Sequence, residues 1–100
     1  KHMMNGTYAI TMKTPMGVKK GEMLLMEENG ALSGKLIVKD KINPFEGGSV
    51  DGDSFRFSGT LQSAMGKMDY ECTGKINGDA LEATAVAKRG TLTITGTRKA

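Results

Sequence analysis

Few residues of this 100-residue chain combine the type and the spacing that catalysis or metal binding requires. The one histidine, His2, belongs to a segment (residues 1–3) typical of a cloning remnant, which leaves residues 4–100 as a single domain. Without His2 the chain has no Ser/His/Asp or Cys/His arrangement and no histidine cluster for a metal. We therefore expect a protein that is not an enzyme, with no catalytic residue, no metal and no cofactor.

The remaining chemically active groups favour structural interpretations. Cys72 is the only cysteine, so it forms no internal disulfide, and its inward strand phase suits a small core residue better than a nucleophile. Asp51 and Asp53 flank a glycine in a turn, where a Ca²⁺ site is conceivable. Two carboxylates are too few ligands for calcium, so we interpret them as solvated turn residues.

Composition and charge narrow the set of partners. The sequence pI of 9.1 invites a nucleic-acid interpretation, but the lysines alternate with acids, as in residues 67–71, instead of clustering. No apolar run has the ~18 residues that a membrane helix needs, and the chain as given shows no signal peptide. We expect a cytoplasmic protein that contacts neither nucleic acid nor membrane.

The hydrophobic pattern is that of β-strands throughout. Apolar and polar residues alternate with a period of two and are interrupted at short intervals by glycine-containing turns, which is the signature of an all-β chain. We predict eight strands, at residues 6–13, 19–27, 32–39, 42–50, 54–62, 67–76, 80–88 and 91–98. Short connections make sequential strands antiparallel neighbours, so the chain is a meander.

Four glycine-containing pairs are the predicted hairpin turns, because glycine accepts the positive φ that tight hairpins need. They are Asn29-Gly30, Asp51-Gly52, Asn77-Gly78 and Arg89-Gly90. The first turn places Leu25 opposite Gly34, and the third places Cys72 opposite Ala83. In both pairings an inward-facing residue lies opposite another inward-facing residue. The register set by the turns therefore agrees with the faces predicted from hydrophobic alternation.

A weak internal repeat with an offset of 49 residues helps to set the phase of the fourth strand. If the alternation of faces is continued backward along the strand from an inward Val50, Glu46 faces inward and Phe45 faces outward. The repeat instead points Phe45 and Gly47 inward, which requires a β-bulge near Gly47-Gly48, and we favour the bulge.

The meander is predicted to close into a small barrel, because closure buries its apolar face and removes both sheet edges. Inward-phase glycines (Gly34, Gly59, Gly74 and Gly96) indicate sharp coiling or close strand approach. The alternative is a two-sheet β-sandwich built from the same strands.

Gly6-Thr7-Tyr8 on the first strand and Arg98 on the last carry a family resemblance. The pattern resembles the calycins (lipocalins, fatty-acid-binding proteins and avidins), and the layout looks like that of small bacterial lipocalin-like domains. The resemblance implies that Tyr8, in place of the family's tryptophan, lies under the Arg98 cation and closes one barrel end. It does not indicate a ligand.

We carry two functional hypotheses forward. In the first, the barrel interior binds a small apolar molecule, with eight candidate site residues: Tyr8, Met23, Leu36, Phe55, Phe57, Tyr70, Ala85 and Arg98. In the second, the core is filled and the domain is a structural or interaction module. It would then form a homodimer through outward-facing Leu24, Met26 and Ile37. Two methionine-bearing loops, residues 15–17 and 64–66, share one barrel end, and we interpret them as hydrophobic plugs in preference to mobile lids.

Overall fold

Eight antiparallel strands make up nearly all of the described chain, which comprises residues 4–63 and 66–99 of a computed structural model. Their bounds are β1 Gly6–Thr14, β2 Gly17–Glu28, β3 Ala31–Val38, β4 Lys41–Asp51, β5 Ser54–Ser63, β6 Gly66–Asn77, β7 Ala80–Ala87 and β8 Gly90–Arg98. All eight predicted strands are confirmed. Within the described ranges no helix is long and apolar enough to cross a membrane. The predicted cloning remnant, residues 1–3, lies outside the described residues.

The sheet is a closed barrel with strand order β1 to β8, because β8 pairs with β1 as well as with β7. Arg98 on β8 lies directly opposite Tyr8 on β1 in that closing pair. The barrel prediction is confirmed and the sandwich alternative is wrong. The bounds of β6 and β7 are those of β2 and β3 shifted by 49 residues, which matches the offset of the internal repeat.

The two ends of the barrel differ in how they are tied together. The end that carries the start of β1, the end of β8 and the turns after β2, β4 and β6 is called the Arg98 end. There each turn accepts a backbone hydrogen bond from a later strand: Val50 N to Gly30 O, Ile76 N to Asp53 O, and Arg98 N to Asp79 O. The opposite end, which carries the turns after β1, β3 and β7 and the end of β5, is called the Met16 end.

The predicted turns are correct at one site and displaced at three. Asn29-Gly30 forms its hairpin with positive φ at both residues, and Leu25 does face Gly34. The other loops are residues 52–53, 78–79 and 88–89, each one residue from the predicted pair. Gly52 and Gly78 take the first loop position with φ of 64° and 66°, as in a type II′ turn, whereas the predicted pairs placed each glycine second. Cys72 therefore faces Ala85 and not Ala83, and this two-residue shift preserves the inward phase.

The predicted bulge in β4 is confirmed, with one correction. Leu32 pairs with Gly48 and Gly34 pairs with Phe45, so β4 has one residue more than β3 between the two pairs. Phe45 is buried and Glu46 is exposed, as predicted. Gly47 does not face inward: it has a φ of 78° and is exposed, whereas Gly48 takes the interior place, where a Cβ would lie 2.9 Å from Phe57 Cβ.

Three aromatic side chains each pack on a glycine that lies directly across the strand pair. The pairs are Phe45 with Gly34, Phe55 with Gly74, and Tyr70 with Gly59. A Cβ added to these glycines would approach the aromatic ring or hydroxyl to 2.7–2.8 Å. The glycines are therefore needed because the rings occupy the volume that a side chain would fill.

Candidate functional site

The barrel wall is incompletely paired between β4 and β5. The ladder joining these strands contains only three residue pairs, Ser49 with Arg56, Val50 with Phe55 and Asp51 with Ser54, all at the Arg98 end. By contrast, β5 and β6 pair along their whole length from Ser54 to Ser63. Toward the Met16 end the two strands run side by side without a backbone ladder, and we call this unpaired stretch of the wall the opening.

One buried amide bridges this opening. Asn43 on β4 is 2% exposed, and its Oδ1 accepts a hydrogen bond of 2.9 Å from the backbone N–H of Gln62 on β5. Its Nδ2 donates to Leu36 O at 3.1 Å and to Lys41 O at 3.3 Å. The side chain therefore supplies hydrogen bonds where the two strands form no backbone ladder.

An aromatic stack closes the opening from inside. The rings of Phe45 and Phe57 lie parallel, 8° apart in plane angle, with centroids separated by 3.7 Å. Tyr70 meets the edge of Phe57 at 6.0 Å and 86°. On the outside the opening is a solvent-facing cleft of about 400 Å³ that extends from Ile42 past Gly59 to Lys67.

An apolar void lies inside the Met16 half of the barrel. The space open to the centre of a water-sized sphere is about 10 Å³, close to the minimum for one water molecule. Eleven side chains from seven strands surround it: Met12, Met23, Leu36, Phe57, Leu61, Met68, Tyr70, Cys72, Ala85, Leu92 and Ile94. The void is small because methionine, leucine and aromatic side chains fill nearly all the width left by the small residue Ala85 on β7.

Tyr70 borders this void with its ring alone. Its side chain is 6% exposed, and its hydroxyl has no hydrogen-bond partner among the described protein groups. The hydroxyl lies over Gly59, which borders the outer cleft, while the ring borders the void. Burial, with a smaller contribution from the neighbouring Cys72 thiol, raises the pKa of Tyr70, so the phenol is neutral at physiological pH.

Cys72 lies beside Tyr70 in the same wall and is inert. It is 1% exposed, and burial raises the pKa of its thiol to about 12. The thiolate is the nucleophilic form, so this cysteine is a packing residue.

The Arg98 end is closed by the predicted cation–π contact. The guanidinium carbon of Arg98 lies 5.1 Å from the centroid of the Tyr8 ring. Arg98 also donates to Asn5 O at 2.7 Å and Gly78 O at 3.2 Å, and pairs with Asp79 at 3.2 Å. The Tyr8 hydroxyl donates to Met4 O at 2.8 Å, and burial raises the pKa of this tyrosine although the Arg98 charge opposes the shift. These polar groups all take part in contacts that close the Arg98 end.

The structure divides the eight candidate interior residues into two groups. Those that surround the void are Met23, Leu36, Phe57, Tyr70 and Ala85. Tyr8, Phe55 and Arg98 do not border it, and two of them close the opposite end.

Sequence reasoning missed the residues at the mouth of the barrel and at the opening. Leu61 and Met68 share the inward phase of Phe57 and Tyr70, so alternation was a sufficient signal for them. Asn43 shares the phase of Phe45, and the following Pro44 lacks an N–H and favours an incompletely paired strand. Together these two signals could have located the opening.

Of the two predicted loop plugs, residues 15–17 lie at the Met16 end, but Met16 is no plug. Its side chain is 76% exposed, while Thr14 Oγ1 accepts a 3.0 Å hydrogen bond from Met16 N and holds the turn. The matching prediction for Ala64 and Met65 lies outside the described residues.

The outer face of β2–β4 carries the predicted apolar residues. Met26 is 56% exposed, and Leu24 and Ile37 are half-buried. Ile42 on β4 pairs directly with Ile37 and is equally exposed as Met26. We call Leu24, Met26, Ile37 and Ile42 the outer apolar patch.

A further concavity, a groove of about 840 Å³, lies on the outside of β4–β8. Outward threonines and exposed charged side chains line it. Phe55 and Ile94 contribute only to its floor, since their side chains face the interior. It is an open, solvated surface.

Comparison with known proteins gives one structural similarity. No protein-family model and no curated protein matches the sequence. The fold is similar to that of a redesigned β-barrel, mFAP1, solved bound to DFHBI, with a TM-score of 0.70 and 17% sequence identity. The similarity covers 94% of each chain, so it supports the whole eight-stranded barrel and, at this identity, the fold alone.

Proposed function

We propose that this protein is a non-enzymatic, cytoplasmic binding module that takes up one small, largely apolar molecule in the Met16 half of its barrel. The observation that carries the proposal is the wholly apolar void in the Met16 half of the interior. The Tyr70 hydroxyl has no partner among the described groups, but it lies over Gly59 and is not presented to the void.

The void must widen to admit a ligand, and its lining suits that change. Met12, Met23 and Met68 have three rotatable side-chain bonds each and fill irregular gaps without a strong shape preference. Met68 and Leu61 are half-buried at the mouth, so they can move outward without opening the core. An eight-stranded barrel is wide enough for one small ligand once such side chains move.

The similar barrel mFAP1 was solved with DFHBI bound. This supports the view that a barrel of this length and strand number holds a small ligand. The calycin resemblance carried by Tyr8 and Arg98 agrees with the same function, and membership of that group is part of the proposal.

Titration with Nile red, an apolar and uncharged fluorescent probe, tests the proposal. We expect saturable one-site binding to the folded protein. Ala85→Leu, which fills the void, should abolish binding, whereas Ala9→Leu on the outer face of β1 should leave it unchanged. Met12→Ala, which enlarges the void, should strengthen it. If the unmodified protein takes up no probe while circular dichroism shows it folded, the proposal is wrong.

The outer apolar patch supports a second candidate function, self-association of a barrel with a filled core. Pairing of Ile42 with Ile37 extends the predicted patch across a third strand. A two-fold symmetric contact is the simplest way to bury one patch against itself. Burial gains about 25 cal/mol per Å² of apolar area before the costs of association.

Sedimentation velocity distinguishes the two candidates. If the second candidate function, self-association, is correct, the protein is a dimer at tens of micromolar and Leu24→Lys makes it a folded monomer. Val86→Lys is the matched control, because Val86 is as exposed as Met26 but lies on β7. If the unmodified protein is a monomer at millimolar concentration, the homodimer hypothesis is wrong.

A further inference from the structure

Folding gathers basic residues at the Met16 end of the barrel. Seven of the described basic residues lie in the turns of that end or among the three strand residues nearest to it. They are Lys13, Lys19, Lys39, Lys41, Lys67, Lys88 and Arg89. By the same criterion the described acids contribute only Asp40. Seven basic residues against one acid leave this end with a formal excess of six positive charges.

The opposite end does not offset this charge. By the same criterion the Arg98 end, with the adjoining Lys99, has six described acids and four basic residues. Eight residues separate Lys19 from Glu27 along β2, about 26 Å at the rise of a strand, whereas the Debye length at physiological salt is about 8 Å. Within the described residues, the six lysines of the Met16 end form no ion pair. Their charge is therefore presented to solvent.

Exposed apolar side chains gather at the same end. Of the five large hydrophobic side chains that are exposed in the described ranges, four lie in a turn of the Met16 end or one residue inside a strand end there. They are Met16 (76% exposed), Val18 (62%), Ile42 (56%) and Val86 (56%). Lys13 lies directly opposite Val18, and Lys41 precedes Ile42. Because these strands lie on different sides of the barrel, cations and apolar groups share a ring around its rim.

Such a ring fits a flat anionic surface. Apolar groups of peripheral proteins enter the boundary between headgroups and acyl chains to a depth of about 5–10 Å, and one residue inside a strand end is only about 3 Å from the rim. Nucleic acid fits less well, because single strands are bound by exposed aromatic side chains on which bases stack. All five aromatic residues of this chain are buried: Tyr8, Phe45, Phe55, Phe57 and Tyr70.

We propose that the Met16 end is a peripheral docking surface for a bilayer that contains anionic phospholipids. Its basic residues contact the headgroups, and Met16, Val18, Ile42 and Val86 enter the interface. The proposal replaces the sequence-based expectation of no membrane contact, which rested on the spacing of lysines along the chain and not on where the turns bring them. It concerns the rim of the barrel and holds whether or not the interior binds a ligand.

Cosedimentation with vesicles of phosphatidylcholine, with and without phosphatidylserine, tests the proposal. We expect the unmodified protein to bind only the vesicles that contain phosphatidylserine, and to be released at about 1 M salt, where the Debye length is about 3 Å. Lys13→Glu with Lys41→Glu should weaken binding about 25-fold or more, since each basic residue near an anionic surface contributes roughly 5-fold. Arg56→Glu with Lys75→Glu is the matched control, because it changes the net charge equally near the Arg98 end and should have little effect.

A second pair of variants tests the apolar contact. Met16→Ser with Val18→Ser should weaken binding roughly 10-fold, whereas Met26→Ser, an exposed residue near the Arg98 end of β2, should not. Circular dichroism establishes that each variant is folded. The comparison of vesicles uses the unmodified protein, so it decides the question of anionic lipid even if a variant fails to fold.

Three results would overturn the proposal. The first is no binding to either vesicle, or equal binding to both. The second is an equal loss of binding in the two charge-reversal pairs, which would mean that net charge and not the Met16 end determines binding. The third is equally tight binding of a random-sequence oligonucleotide with no effect of Met16→Ser and Val18→Ser, which would identify a general polyanion site in place of a bilayer contact.

Discussion

The backbone N–H of Gln62 donates a 2.9 Å hydrogen bond to Oδ1 of Asn43, across the part of the wall where β4 and β5 share no backbone pairs. Asn43 thus contributes to barrel closure in a way that no apolar residue of the same size could. We expect Asn43→Leu to lower the free energy of unfolding by about 2–4 kcal/mol, because the Gln62 N–H and the Leu36 carbonyl both lose a buried partner. Urea unfolding measures the loss. Glu46→Leu, at an exposed position on the same strand, is the control, and equal stability of the two variants would contradict the bridging role.

Gly34 is expected to tolerate no side chain. A Cβ there would meet the Leu24 carbonyl oxygen and lie 2.8 Å from Phe45 Cζ. Gly34→Ala should destabilise the protein by about 2–3 kcal/mol through overpacking, measured by thermal melting. Ser33→Ala, the neighbouring residue on the outer face, should change stability by less than about 0.5 kcal/mol. Similar melting temperatures for the two variants would show that β3 shifts easily and that the Phe45 ring is not held against Gly34.

Arg98 should contribute more to stability than an exposed arginine. Arg98→Met removes two hydrogen bonds to backbone carbonyls and the contact with the Tyr8 ring, and should cost roughly 2–3 kcal/mol. Arg98→Lys keeps the charge but loses the planar fork, so its effect should be intermediate. Arg56→Met is the matched control. Its ion pair with Glu71 is 62% and 56% exposed, so the loss should stay below about 1 kcal/mol. Equal losses in the two methionine variants would mean that the Arg98 end is not closed by this residue.

Stability should fall with rising pH because of Cys72. Its thiol has a pKa of about 12 in the folded protein and about 8.5 in an unfolded chain. Between these values the unfolded state releases a proton that the folded state keeps, so unfolding becomes easier as the pH rises. Below pH 8.5 the thiol is protonated in both states and does not affect the pH dependence of stability. Above pH 8.5 the free energy of unfolding falls by roughly 1.4 kcal/mol per pH unit. Tyr70, whose pKa is also raised, adds to the loss above about pH 10.

Urea unfolding from pH 7 to 10 compares the unmodified protein with Cys72→Ala. The variant is less stable at pH 7, since it loses buried volume, but its stability should decline less steeply above pH 8.5. Parallel pH profiles would show that the thiol is not protected from ionisation.

Local patterns were sufficient for the strands and their faces. Period-two alternation located all eight strands, and glycine-containing turns forced each strand beside its predecessor. The inward phase of Phe57, Tyr70 and Cys72 follows from the same alternation. Because a β-strand has a period of two, the one-residue displacement of the turn after β6 moved Cys72 from Ala83 to Ala85 without changing its face.

Non-local distances determined the site. The sequence by itself determined an eight-stranded meander with an apolar interior, because those features depend on neighbours in the chain. Only the tertiary structure decided which interior residues meet at the Met16 end, that Asn43 reaches Gln62 where β4 and β5 form no ladder, and that the Tyr70 hydroxyl has no partner among the described residues. These outcomes depend on the tilt and separation of strands that lie far apart in the chain. Alternation specifies the face on which a side chain lies but not what stands opposite it across a closed barrel.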